Sequence, residues 1–147
     1  MKALSVKQPW ASLLATGTKT VECRTWKVSY RGPLLICSSK GDLEFEDGDD
    51  PLVLPGGRTL GVVELVDVRP MTQDDLAAAY LPEEWHAEAL KGFAWHVSPL
   101  YGVTTQPIKG KLNLFNVDEA SIEKIPEEFL DHWEYLRFLQ KLPYQTR

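Results

Sequence analysis

The chain has 147 residues, of which 44% are hydrophobic and 25% charged, with a formal net charge of −5. That is the composition of one globular domain with its own core, and it excludes both a disordered chain and two comfortable domains. No apolar run approaches the roughly 18 residues that span a bilayer, the first residues lack the apolar stretch of a secretion signal, and the acidic balance argues against a broad electrostatic wrap around duplex nucleic acid.

Taken in order, Lys2 to Lys7 alternates Leu4 and Val6 against Ala3, Ser5 and Lys7, which predicts a short strand with one buried face. Pro9 suits the first turn of a helix because it has no N–H to satisfy. Trp10, Leu13 and Leu14 recur at helical spacing, and Gly17 supplies the stop. A helix this short needs a sheet to pack on. Lys19 to Arg24 resumes as a strand, and its two-residue period sends Val21 and Cys23 to the core and Thr20, Glu22 and Arg24 the other way.

Residues 25–33 read as a loop carrying Trp26 and Tyr30, and Leu34–Cys37 as a central apolar strand. Residues 38–57 are rich in Asp, Glu and Gly and are expected to form a solvated loop rather than a calcium site, since the spacing of an EF-hand is missing. Residues 59–69 predict one long, curved barrel strand. Thr72 looks like the N-cap of a helix over 76–80, and a second helical piece runs from Pro82 to Lys91. Phe93–Val97 predicts a strand, residues 99–107 turns, and Leu112–Val117 the last strand. A helical extension begins near residue 119, with a longer amphipathic helix over 126–142 bearing Phe129, Trp133 and Leu136 on one stripe. Short strands with inserted helices give an α+β class: a small β-barrel of five to six strands with flanking helices, in a single domain over 1–147.

The candidate chemistry is concentrated early. Residues 1–40 hold seven basic groups and one acidic group, a net of +6, which leaves −11 for the remainder. A basic end on an acidic body suits a local anionic ligand. Cys23 and Cys37 sit in apolar runs and read as buried free thiols in a reducing compartment. His86, His96 and His132 share no ligand spacing, so neither a metal nor a cofactor is called for.

Leu4-Ser5-Val6-Lys7-Gln8-Pro9-Trp10-Ala11, followed by Gly17-Thr18-Lys19-Thr20-Val21-Glu22-Cys23-Arg24, resembles the opening of an ASCH domain, whose motif is G-x-K-x-x-E-x-R. The resemblance continues through residues 32–36, 61–68, 93–97 and 110–115. It implies a PUA-like barrel and a cleft beside the first helix, lined by Lys19, Glu22 and Arg24. It also implies RNA or a modified nucleoside or nucleotide as partner; apart from the resemblance, the free thiols and the absent signal give a cytoplasmic location, and a monomer is expected. One branch of the family removes the acetyl group from N4-acetylcytidine, and another member class is linked to RNA cleavage, so an amidohydrolase and, behind it, a ribonuclease are the alternatives that the resemblance implies. The deacetylating branch has a lysine matching Lys19 but a catalytic threonine where this chain has Glu22. Asp74, Asp75, Glu83 and Glu84 are the candidates for its later catalytic carboxylate.

The residue types fit such a ligand. Arg24 offers a planar fork for a phosphate or base edge and Lys19 a compact cation. Glu22 can accept from an exocyclic amine, as carboxylates do with cytosine N4. Trp10 and Trp26 bracket the motif and can stack a base. The expected ligand-binding set is Trp10, Lys19, Thr20, Glu22, Arg24 and Trp26, with Lys19 and Glu22 as the catalytic pair if the protein is an enzyme. In that case Thr20 or Thr25 would supply a hydroxyl. Trp85, Trp95 and Trp133 are assigned to the core, and Lys7 and Lys40 to solvent.

Overall fold

The computed structural model describes residues 1–47 and 50–125. Six strands form one mixed sheet: β1 (Lys2–Val6), β2 (Val21–Arg24), β3 (Gly32–Ser38), β6 (Thr59–Pro70), β7 (Phe93–Gly102) and β8 (Phe115–Asn116). The remaining two, β4 (Leu43–Asp47) and β5 (Asp50–Leu54), pair separately. The order across the sheet is β2-β7-β6-β3-β1-β8. β1 and β3 run parallel and the other pairings are antiparallel. The sheet curls into a half-barrel, the α+β arrangement of PUA-like small barrels. Its curvature comes largely from β6, the long strand that the sequence predicts, whose register against β7 shifts at Val62/Val63 and again between Leu65 and Asp67. Each such irregularity bends and twists the strand that carries it.

The principal core gathers Leu4, Val6, Leu34, Ile36, Val63 and Trp95 from the strands, with Ala11, Leu14 and Ala15 from α1 (Trp10–Ala15). A smaller core lies over the β2–β7 edge. There Val21 and Ala94 pack against Met71 and against α2 (Leu76–Ala79) and α3 (His86–Ala89), through Leu76, Ala79 and Ala89. Thr72 opens this helical segment as expected: its N–H and hydroxyl both donate to the Asp75 carboxylate, at 2.9 Å each.

Two expectations change. Residues 38–57 are not an unstructured loop, because β4 and β5 form an antiparallel hairpin. The alternation of apolar with acidic residues in Leu43-Glu44-Phe45-Glu46 is that of a strand. The turn-rich stretch after Val97 is partly strand, since β7 continues to Gly102 beside β6. Residues 119–121 make a single 3-10 turn, capped by Asp118. The amphipathic helix expected over 126–142, with Trp133, lies outside the described residues. Among those described, no helix is long and apolar enough to cross a membrane.

Candidate functional site

The site begins at the end of α1. Gly17 takes a φ of +83°, which turns the chain left-handed out of the helix, and a Cβ there would stand 2.9 Å from Pro99 Cγ. The Lys19 N–H then donates to Leu13 O at 3.0 Å, and the chain enters β2 as the edge strand of the sheet, paired on one side only with β7.

The two-residue period sorts β2 as expected, but both of its faces are covered. Val21 and Cys23 go to the small core under α2 and α3. Glu22 lies directly opposite Trp95 and Arg24 opposite Phe93, and residues opposite each other in a ladder point to the same side of the sheet. Glu22 therefore shares the face of Trp95, the barrel interior, and is only 8% exposed. The charged side of β2 thus looks into the mouth of the barrel.

Lys19 is buried altogether, at 1% exposure. Its ammonium donates to the carbonyl of Ala79 at the end of α2 and lies 3.3 Å from Glu22 Oε1. Arg24 Nε stands 2.9 Å from the other carboxylate oxygen, as a close ion pair rather than an aligned hydrogen bond. One carboxylate thus holds two cations, one on each oxygen. Burial lowers the Lys19 pKa from its ordinary 10.5, and the charge and hydrogen bond of Glu22 oppose that fall without cancelling it.

Arg24 also spans the open side of the barrel. Its Nη2 donates to Ser5 O at 3.0 Å, so a side chain links β2 to β1 where no ladder joins them. Beside this seam lies a cavity of about 420 Å³, lined by Trp10, Glu22, Arg24, Leu81 and Trp85 among others. The indoles of Trp10 and Trp85 meet at its rim, with centroids 5.5 Å apart and planes tilted by 39°. Trp10 is oriented by its Nε1, which donates to Tyr80 O at 2.9 Å.

The expected residues are therefore distributed as follows. Trp10, Glu22 and Arg24 line the cavity, while Lys19 stands behind Glu22. Thr20 is exposed and lies outside the lining, its backbone joined to Ala78 and Val97. Thr25 does line the cavity. Trp26 packs edge-on against Trp95 at 4.7 Å, and its carbonyl accepts from Trp95 Nε1, so it belongs to the core side. Trp85, assigned to the core from sequence, is 47% exposed, with its indole set against Trp10 at the cavity. Of the later carboxylates, Asp74, Asp75, Glu83 and Glu84 do not line the cavity, whereas Glu88 does. Both thiols are held protonated: burial pushes Cys37 up to about 12, and burial followed by the Glu22 charge raises Cys23. Among the described residues no cluster of His, Cys, Asp and Glu could hold a metal ion.

The sequence profile of the ASCH domain matches residues 4–120, from β1 to the last 3-10 turn. The chain belongs to the ASCH family. That family is associated with RNA binding. The chain is similar to activating signal cointegrator 1 of Homo sapiens, at 38% identity over 79 residues that cover 44% of this chain and 14% of the human protein. The mouse protein of that name gives 37% over the same length. The match thus takes up about a seventh of these relatives' own length. Among solved structures, the ASCH protein of Zymomonas mobilis superposes with a TM-score of 0.58 at 14% identity, over 81% of this chain and 88% of that one. A serine-to-alanine mutant of the same bacterial protein gives 0.59 at 12% identity, over 94% of each chain. At such identities the likeness is one of fold.

Proposed function

We propose that the domain is a reader of single-stranded RNA or of a modified nucleotide, taking one base into the cavity beside β2 and an adjacent phosphate at Arg24. The observation that carries this reading is a single cavity that combines an aromatic pair with a carboxylate pinned on both oxygens. An indole face stacks any base. A carboxylate of fixed orientation selects bases that present an exocyclic amine, and its oxygens retain lone pairs beyond those that face Lys19 and Arg24. Arg24, a quarter exposed at its side chain, keeps guanidinium surface for an anion.

Deacetylation of an N4-acetylcytidine-type nucleoside is the competing reading, and the geometry favours binding over it. Hydrolysis needs an activated nucleophile or water and a proton donor. The Lys19 ammonium is already engaged by Ala79 O and Glu22, with Glu22 between it and the cavity. Glu22 also occupies the position of the branch's catalytic threonine.

Titration with short RNA and with N4-acetylcytidine, followed by tryptophan fluorescence, tests the proposal. Saturable quenching is expected, and Trp85→Ala should weaken binding by about 1–3 kcal/mol, the worth of one stacked base, with the fold intact. A response that Trp85→Ala and Arg24→Ala leave unchanged refutes the reading. Cytidine released from N4-acetylcytidine on chromatography, and lost in Glu22→Gln, would replace it with the hydrolase.

A further inference from the structure

A second and larger cleft, of about 840 Å³, opens on the other side of Arg24. It shares Ser5, Arg24 and Ser39 with the smaller cavity, so the two adjoin at the seam of the barrel. Its lining includes Arg24, Lys40, Lys109 and Lys111, and no Asp or Glu. In a chain of net charge −5 this is a local inversion of sign, and a cleft lined with one sign of charge concentrates ligands of the other.

The cations are mounted on fixed backbone. Ile108 N–H donates to Gly57 O at 2.9 Å, and Pro107 bridges to Arg58, which ties the root of the 107–113 loop to the start of β6. Gly110, between the two lysines, packs so closely on β1 that a Cβ would fall 2.6 Å from Ser5 Oγ. The loop is thus seated on the strand that Arg24 also holds. Lys109, Lys111 and Lys40 are exposed and in reach of solvent anions.

From this placement we infer that the larger cleft is a phosphodiester track, which takes the backbone flanking the base held in the smaller cavity. The ligand of the whole site is then a single-stranded oligonucleotide of several residues rather than a free nucleoside. The inference rests on the reading of the smaller cavity as a base site. Arg24 is the hinge between the two: its one guanidinium borders both the carboxylate that meets a base and the lysines that meet the next phosphates. Lysine serves this role as a compact point charge on a flexible stem, beside the planar fork of Arg24.

The test uses whichever of the four ribonucleoside monophosphates binds tightest, together with the tetraribonucleotide of the same base, each titrated over a salt series. The tetranucleotide is expected to bind at least about tenfold tighter at low salt, with a steeper logarithmic dependence on salt. Lys109→Ala/Lys111→Ala should reduce that slope by about 0.7 for each lysine removed, while monophosphate affinity stays within about twofold of wild type. Both substitutions are at exposed positions, so the fold is retained. A tetranucleotide slope unchanged in the double variant, with monophosphate binding intact, overturns the track alone. Wild-type protein that binds no monophosphate overturns the base-site reading and the track with it.

Discussion

Two ion clusters lie on the same β2–β7–β6 side of the sheet, and each sets one carboxylate between two cations. In the first, Lys19, Glu22 and Arg24 have side chains 0%, 10% and 25% exposed. In the second, Asp67 sits 3.6 Å from Arg31 and 3.3 Å from Arg69, with side-chain exposures of 46%, 37% and 53%. The second is a solvated network of the kind that contributes little to stability, since water already satisfies its members. The first has given up that water. A buried pair is no guarantee of stability, and replacing it with apolar residues is often neutral, so the burial of this cluster at the rim of a cavity is not accounted for by stability alone. Charge near a site is therefore a poor guide by itself; charge withdrawn from water and still aimed at a cavity is a good one.

Glu22→Ala strikes this contrast hardest. It leaves Lys19 and Arg24 without their counter-ion in a buried position, and a loss of about 3–5 kcal/mol in urea unfolding is expected. A loss no greater than that of a surface charge would erase the distinction. The pH dependence sharpens it. The folded Lys19 has a pKa below its ordinary 10.5, chiefly through burial. Between those two values the unfolded chain keeps a proton that the folded one releases, so stability should climb as pH rises through that window. In Lys19→Met the climb should vanish, and parallel curves for the two proteins would show that burying the ammonium costs nothing.

Asp75 provides the intermediate case, being buried in the helical segment over the β2–β7 edge, beside His96 and Arg69. Burial raises its pKa, yet hydrogen bonds from Thr72, with the His96 and Arg69 charges, carry it below 3.8 overall. A depressed carboxylate stabilises the fold above its unfolded value and loses that contribution as pH falls through the folded one. Asp75→Asn should therefore cost about 1 kcal/mol near neutrality, the worth of a helix cap, and the gap from wild type should close in acid below pH 3.8. The smallest effect belongs to Asp67→Ala, expected to cost less than about 1 kcal/mol and to shrink further in added salt.

Much of this was legible in sequence because it is local. The β1–α1–β2 opening, the stop at Gly17, the pairing of Glu22 with Arg24 on one face and the cap at Thr72 all follow from spacing within a few residues. What the alternation of β2 leaves open is which face is the wetter one, since that depends on segments some fifty to seventy residues away. The same distance hid Trp85: nothing local distinguishes an indole that faces a cavity from one in a core, and an indole is more often buried than not. Trp26 misled for the opposite reason. Proximity in sequence to the motif placed it at the site, while its side chain packs on Trp95. The hairpin of β4 and β5 left a usable trace in its alternation, masked by the number of acids around it.

The segment between β6 and β7 is fastened to the α1–β2 region by three consecutive backbone oxygens, of which Ala78 O accepts from the Thr20 N–H at 3.3 Å. Ala79 O receives the Lys19 ammonium and Tyr80 O the Trp10 indole. Main-chain acceptors have no side-chain identity to lose, so this anchorage tolerates sequence drift that would sever a bond between side chains. Tyr80, with a φ of +55°, could become glycine and keep its carbonyl where it is. The aromatic wall at Trp85 rides on the same segment, and its chemistry is free to vary while the fastening stays constant. The fold thereby separates the aromatic wall at Trp85 from the backbone bonds that hold its segment in place.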